Sequence, residues 1–130
     1  MNKILLLFIV AALLAALATA CTTSKSKGQG AISAEQVKQQ MTDLNTLLLD
    51  VRTPDEYKDG HIPGAKNIPV QELDRRLNEL DRQKNVIVYC RTGHRSTKAF
   101  HILKQNGFSA VRNFKGSWTE WTRLGYPIEK

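Results

Sequence analysis

The chain has 130 residues, 42% hydrophobic and 24% charged, with a formal net charge of +7. That apolar content excludes a disordered protein, and the length supports a single domain with its own core. The 19 basic residues are scattered along the chain, which argues against nucleic acid as a partner and for small anions or an anionic membrane face.

Met1-Asn2-Lys3 is a short positive start, followed by an apolar run from Ile4 to Ala18. The run is too short to span a bilayer and right for export, so residues 1–20 are read as a signal peptide. Ala18-Thr19-Ala20 ahead of Cys21 admits two readings. Ala-x-Ala is the pattern of an ordinary signal-peptidase cut. A small residue directly before cysteine also resembles the lipobox of bacterial lipoproteins, in which Cys21 would be lipidated and become the mature N-terminus. The lipoprotein reading is preferred, although Ala18 stands where leucine is usual. The expected location is therefore periplasmic and membrane-anchored through Cys21, or soluble periplasmic or secreted if the signal is simply removed. Residues 21–30 form a flexible tether, because Thr22 to Gly30 contains no apolar side chain to bury. Residues 1–20 hold only one charge, Lys3, so the remainder carries +6. With Cys21 acylated, Cys90 is the single free thiol and no intramolecular disulfide can form.

Residues 31–130 are the folded domain. Ile32 is expected in a short first strand, and Ser33 caps a helix with Gln36 placed for a capping box and Ala34, Val37 and Met41 on one face. Leu47-Leu48-Leu49-Asp50-Val51 reads as an apolar strand ending in a buried carboxylate. Thr53-Pro54-Asp55-Glu56 is a helix start with a cap, proline at the first position and glutamate at the third, and Gly60 stops that helix after about Lys58. The turn from Gly60 to Ala65 leads to a short strand near Asn67-Ile68. Leu73, Leu77 and Leu80 at helical spacing give the next helix. Val86 to Tyr89 is the central strand, Ser96 to Asn106 the next helix, Ala110 to Asn113 a further strand, and Gly116-Ser117 precedes a helix carrying Trp118 and Trp121. Strands alternating with helices specify an α/β fold, a short parallel sheet of about five strands with helices on both faces. Functional loops in such sheets lie beyond the strand C-termini, where Cys90 falls.

The chemistry concentrates in Tyr89-Cys90-Arg91-Thr92-Gly93-His94-Arg95-Ser96. An apolar strand ends at cysteine, a Gly-containing loop follows, and a helix opens. Backbone N–H groups at such a turn converge on an anion, and the helix N-terminus adds about half a positive charge. Arg91 and Arg95 supply two cations. A free thiol with a pKa near ~8.5 is mostly protonated at neutral pH, and these effects favour the thiolate. Cys90 is read as an activated nucleophile rather than a buried apolar cysteine. Asp50 and Arg52 are read as a structural ion pair supporting the site, His61 as a scaffold residue, and Trp118 and Trp121 as core anchors. Cys90 and the three histidines match no common zinc spacing, so no metal is expected.

Three ordered signatures resemble the single-domain rhodaneses. Asp50-Val51-Arg52, Glu56-Tyr57, Gly60-His61-Ile62-Pro63-Gly64-Ala65 and Ile68-Pro69 resemble the family's upstream signature. Tyr89 to Ser96 resembles its active-site loop, and Phe114-Lys115-Gly116-Ser117-Trp118, Trp121 and Gly125-Tyr126-Pro127-Ile128 its C-terminal signature. The resemblance implies a rhodanese-like fold and a sulfurtransferase moving sulfane sulfur from thiosulfate or polysulfide to a thiol, cyanide or protein acceptor. It implies Cys90 as nucleophile and persulfide carrier, and a loop from Arg91 through Thr92, Gly93 and His94 to Ser96 that wraps the sulfur. It further implies Arg95, assisted by Arg91, as the holder of anionic oxygens. No metal or organic cofactor is implied. Two rivals stand beside this reading: a persulfide-binding or redox-sensing module without turnover, and a cysteine-dependent phosphatase. Loop length separates the phosphatase, since related phosphatases place five residues between cysteine and arginine, and Cys90 and Arg95 are separated by four.

Overall fold

The computed structural model describes residues 30–130. The expected signal peptide, Cys21 and the tether up to residue 29 lie outside the described residues. Within them no helix is long and apolar enough to cross a membrane.

Four parallel strands form one sheet in the order β2-β1-β3-β4. They are β1 (Thr46–Asp50), β2 (Lys66–Asn67), β3 (Asn85–Tyr89) and β4 (Val111–Asn113). Among the described residues the four α-helices are α1 (Ala34–Gln40), α2 (Pro54–Asp59), α3 (His94–Gln105) and α4 (Ser117–Arg123). β1 and β3 pair in the middle, with Leu48 opposite Ile87 and Asp50 opposite Tyr89. Both are near-continuous apolar runs because both of their faces are covered.

Strand alternation divides the core in two. Val86, Val88 and Cys90 face one side, packed with Leu73, Ala99, Leu103 and Phe108. Ile87 and Tyr89 face the other, packed with Ile32, Val37, Phe114 and Trp121. The thiol therefore belongs to the face that α3 covers.

The capping signals hold. Ser33 and Gln36 form the capping box of α1, and Thr53 and Glu56 that of α2, with proline in the first turn of α2. Three expectations change. The fifth strand at Ile32 is a single parallel bridge between Ala31 and Asn113, because the chain turns into α1 directly afterwards. Leu73, Leu77 and Leu80 are buried as their spacing requires, but on two short 3₁₀ segments, Val70–Arg75 and Leu77–Glu79. There the N–H groups of Glu72, Arg76, Glu79 and Leu80 each reach only three residues back, and spacings of three and four suit either helix type. Helix α3 begins at His94, two residues before the expected Ser96, because Gly93 at φ 97° turns the chain into the helix early.

Candidate active site

β3 ends at Tyr89, so Cys90 is the first residue beyond the central strand, and it is buried. The next three residues make the loop. Gly93 donates its N–H to Cys90 Sγ at 3.1 Å. Its left-handed backbone leaves no room for a side chain: a Cβ there would collide with the Lys115 carbonyl. The Gly93 carbonyl accepts from the hydroxyls of Ser96 (3.1 Å) and Thr97 (2.8 Å), which ties the loop to the first turn of α3. Burial pushes the Cys90 thiol up, but the polar groups of Ser96 and the backbone N–H groups of Gly93 and Thr92 outweigh it. The thiol is held below its ordinary value.

The other side of the loop rests on the start of α4. Trp118 N–H donates to the Cys90 carbonyl at 3.0 Å and Thr119 N–H to the Arg91 carbonyl at 3.1 Å. The Ser117 hydroxyl accepts the Cys90 N–H at 3.2 Å, donates to the Phe114 carbonyl at 2.8 Å and lies 3.8 Å from Cys90 Sγ. Ser117 is buried at φ 54°, the one positive-φ residue other than glycine among the described residues. Such a conformation costs about 1–2 kcal/mol in a residue with a Cβ and persists only where surroundings enforce it.

The expected loop residues separate into two groups. Cys90, Gly93 and Ser96 are buried and in mutual contact. Arg91, Thr92 and His94 are exposed at the rim. Arg95 is half-buried, and its fork closes on Glu56 with contacts of 2.8 and 3.0 Å. Asp50 and Arg52 form a buried pair at 2.6 Å. Arg52 also donates to the Gly60 carbonyl at 2.7 Å and lies over the Trp118 ring, so the pair welds β1 to α2 and α4. His61 Nδ1 donates to the Tyr57 carbonyl at 2.9 Å and its ring stacks on Tyr57, a scaffold position. Among the described residues no group of three or more His, Cys, Asp or Glu side chains is arranged to hold a metal ion.

Two further residues belong to the site, and the sequence hides both behind a local role. Glu56 fits the capping box of α2 completely, which conceals its second partnership with Arg95. Ser117 reads as a helix-start residue, and only the fold sets its backbone beneath the thiol.

A short parallel sheet with a buried, ionisable cysteine beyond its central strand, cradled by loop N–H groups, defines a class of anion-stabilising thiol domains. Similarity to known proteins narrows that class. The family model for the rhodanese-like domain matches residues 33–124. The chain is 38% identical over 98 residues to a protein named sulfurtransferase from Allochromatium vinosum, covering 75% of this chain and 92% of that protein. It is 38% identical over 117 residues to the sulfur carrier protein TtuD of Thermus thermophilus, covering 64% of this chain and 41% of that one. The crystal structure of a rhodanese-related protein from Thermoplasma volcanium superposes with a TM-score of 0.72 at 32% identity, covering 77% of this chain and 97% of that one. The chain belongs to the rhodanese-like family, whose members include proteins named as sulfurtransferases and sulfur carriers.

Proposed function

We propose that the protein is a sulfurtransferase that carries sulfane sulfur on Cys90. The observation that supports this most directly is the buried Cys90 sulfur facing the Gly93 N–H at 3.1 Å, with its thiol held below the ordinary value. The Cys90 thiolate attacks the outer sulfur of thiosulfate or polysulfide. A bond forms between Sγ and that sulfur while the donor's sulfur–sulfur bond breaks, and sulfite or the shortened polysulfide leaves with the electron pair. The loop N–H groups stabilise the anionic persulfide, as an oxyanion hole stabilises oxygen. A thiol, cyanide or protein acceptor then attacks the outer sulfur, and Cys90 returns to the thiolate. Arg91, Thr92 and His94 at the rim meet donor and acceptor. The four-residue separation of Cys90 and Arg95 favours one sulfur over a tetrahedral phosphoryl group.

Intact mass spectrometry after thiosulfate or polysulfide treatment tests this reading. The unmodified protein gains one sulfur on Cys90, and folded Cys90→Ser gains none and has no sulfurtransfer activity. Hydrolysis of an aryl phosphate without sulfur loading would favour the phosphatase instead. We further propose that residues 1–20 direct export and that Cys21 is acylated, which places the domain in the periplasm on a lipid anchor. A soluble mature protein beginning with unmodified Cys21 would reduce this to simple secretion.

A further inference from the structure

Glu56 has more partners than a helix cap requires. Its Oε2 accepts from the Thr53 N–H at 2.9 Å, the Thr53 hydroxyl at 3.1 Å and Arg95 Nη1 at 2.8 Å. Its Oε1 accepts from Arg95 Nη2 at 3.0 Å and lies 3.8 Å from Arg91 Nη1. One carboxylate thus takes both prongs of the Arg95 fork and draws in Arg91. Charge-assisted, two-pronged pairs of this kind are among the stronger polar contacts in proteins. The Arg95 hydrogen bond outweighs partial burial and, with Thr53, pulls the Glu56 carboxyl down to about 2, so the carboxylate is charged wherever the thiol is active.

The consequence concerns the donor. An oxyanion donor such as thiosulfate presents sulfonate-type oxygens, and its leaving group, sulfite, carries added negative charge on them. The natural place for those oxygens is a guanidinium fork, and here the fork holds an internal carboxylate. A persulfide donor leaves as a thiolate and has no oxygens to seat. It needs only the N–H cradle around Cys90.

We infer that Glu56 is a specificity-determining residue: by occupying the Arg95 fork it biases the site against sulfur-oxyanion donors and toward alkyl persulfides. This rests on the sulfurtransfer reading and names its donor class. In the favoured step the Cys90 thiolate attacks the outer sulfur of the alkyl persulfide. The Sγ–S bond forms, the donor's S–S bond breaks, and the alkyl thiolate leaves with the electron pair and takes a proton from water.

The test compares the full chain with Glu56→Gln. Glutamine can still serve the cap, since Gln36 does so for α1. The donors are thiosulfate and the persulfide of 2-mercaptoethanol, and sulfur on Cys90 is followed by mass. The ratio of kcat/KM for thiosulfate to that for the persulfide rises about tenfold or more in Glu56→Gln, chiefly through a lower thiosulfate KM. Adding Arg95→Ala to Glu56→Gln abolishes the gain. A second measurement needs no variant: sulfate leaves iodoacetamide alkylation of Cys90 in the unmodified protein unchanged, because the fork is taken. An unchanged or lower ratio in folded Glu56→Gln, or protection of the unmodified protein by sulfate, overturns the inference and leaves sulfurtransfer standing. Failure of both donors to load the unmodified protein overturns the sulfurtransfer reading and this inference with it.

Discussion

Asp50→Asn removes one charge from the most enclosed ion pair in the domain. Asp50 is fully buried and Arg52 is 2% exposed. Asp50 Oδ1 accepts the Arg52 N–H at 2.9 Å and Arg52 Nε at 3.0 Å, and Oδ2 accepts Nε at 3.0 Å and Nη2 at 2.6 Å. Asparagine keeps the shape and one acceptor oxygen but loses the charge and the Oδ2 acceptor, so Nη2 is left with the Gly60 carbonyl and the guanidinium over Trp118 has no counter-ion. Breaking a buried pair from one side costs roughly 3–5 kcal/mol, a large share of the 5–15 kcal/mol that holds typical domains folded. With a urea slope of about 2 kcal/mol per molar, the midpoint falls by about 2 M. Tryptophan fluorescence follows the transition, because Trp118 touches the pair directly. Sulfur loading of Cys90, scored per folded molecule well below the midpoint, stays close to that of the unmodified protein. Replacing both residues by leucine recovers much of the midpoint, since an apolar pair leaves no charge stranded. A folded Asp50→Asn with an unshifted midpoint and no sulfur loading would refute this reasoning and move the pair into the chemistry.

Gly93→Ala drives a Cβ into the Lys115 carbonyl at a backbone φ of 97°, so both the thermal midpoint and sulfur loading fall. Normal loading would mean that the Gly93 N–H does not cradle the sulfur. Ser117→Ala keeps the strained φ of 54° and Ser117→Gly releases it, while both lose the acceptor for the Cys90 N–H. The glycine variant is therefore more stable than the alanine variant by about 1 kcal/mol, and equal denaturation midpoints would contradict the strain. Alkylation of Cys90 by iodoacetamide, followed against pH, reaches half its maximal rate below the ordinary thiol pKa of about 8.5. The same lowered value links to stability: the thiolate's contribution is complete above the ordinary pKa and is lost as pH falls through the folded-state value. A half-maximum at or above the ordinary pKa would remove the basis for an activated nucleophile.

Much of this domain is legible in its residues, and the reasons differ by element. Leu47 to Val51 and Val86 to Tyr89 announce buried strands because covered parallel strands are apolar on both faces. Thr53-Pro54-Asp55-Glu56 announces a helix start because capping is local chemistry, complete within four residues. The 3₁₀ path through Leu73 and Leu77 is not legible, since burial spacing is shared by both helix types. The Cys90 loop reads as a turn between strand and helix, but its helix starts earlier than expected because Gly93, not Ser96, takes the cap position. Arg95 reads as a free anion holder until the fold brings Glu56 to it from 39 residues away. Ser117 is hidden for a similar reason: its contact with Cys90 spans 27 residues, and no local pattern encodes it.

That 27-residue separation also sets when the loop gains its support. During synthesis Cys90 emerges before Ser117, Trp118 and Thr119, whose backbone and hydroxyl groups hold the loop carbonyls and the Cys90 N–H. At roughly 5–20 residues per second the intervening segment takes a few seconds to follow. Until it arrives the loop carbonyls and the Cys90 N–H lack these partners, while the groups that lower the thiol, from Thr92 to Ser96, are already in the chain. A chain interrupted before residue 117 thus carries the whole cradle from Cys90 to Ser96 without the residues that brace it.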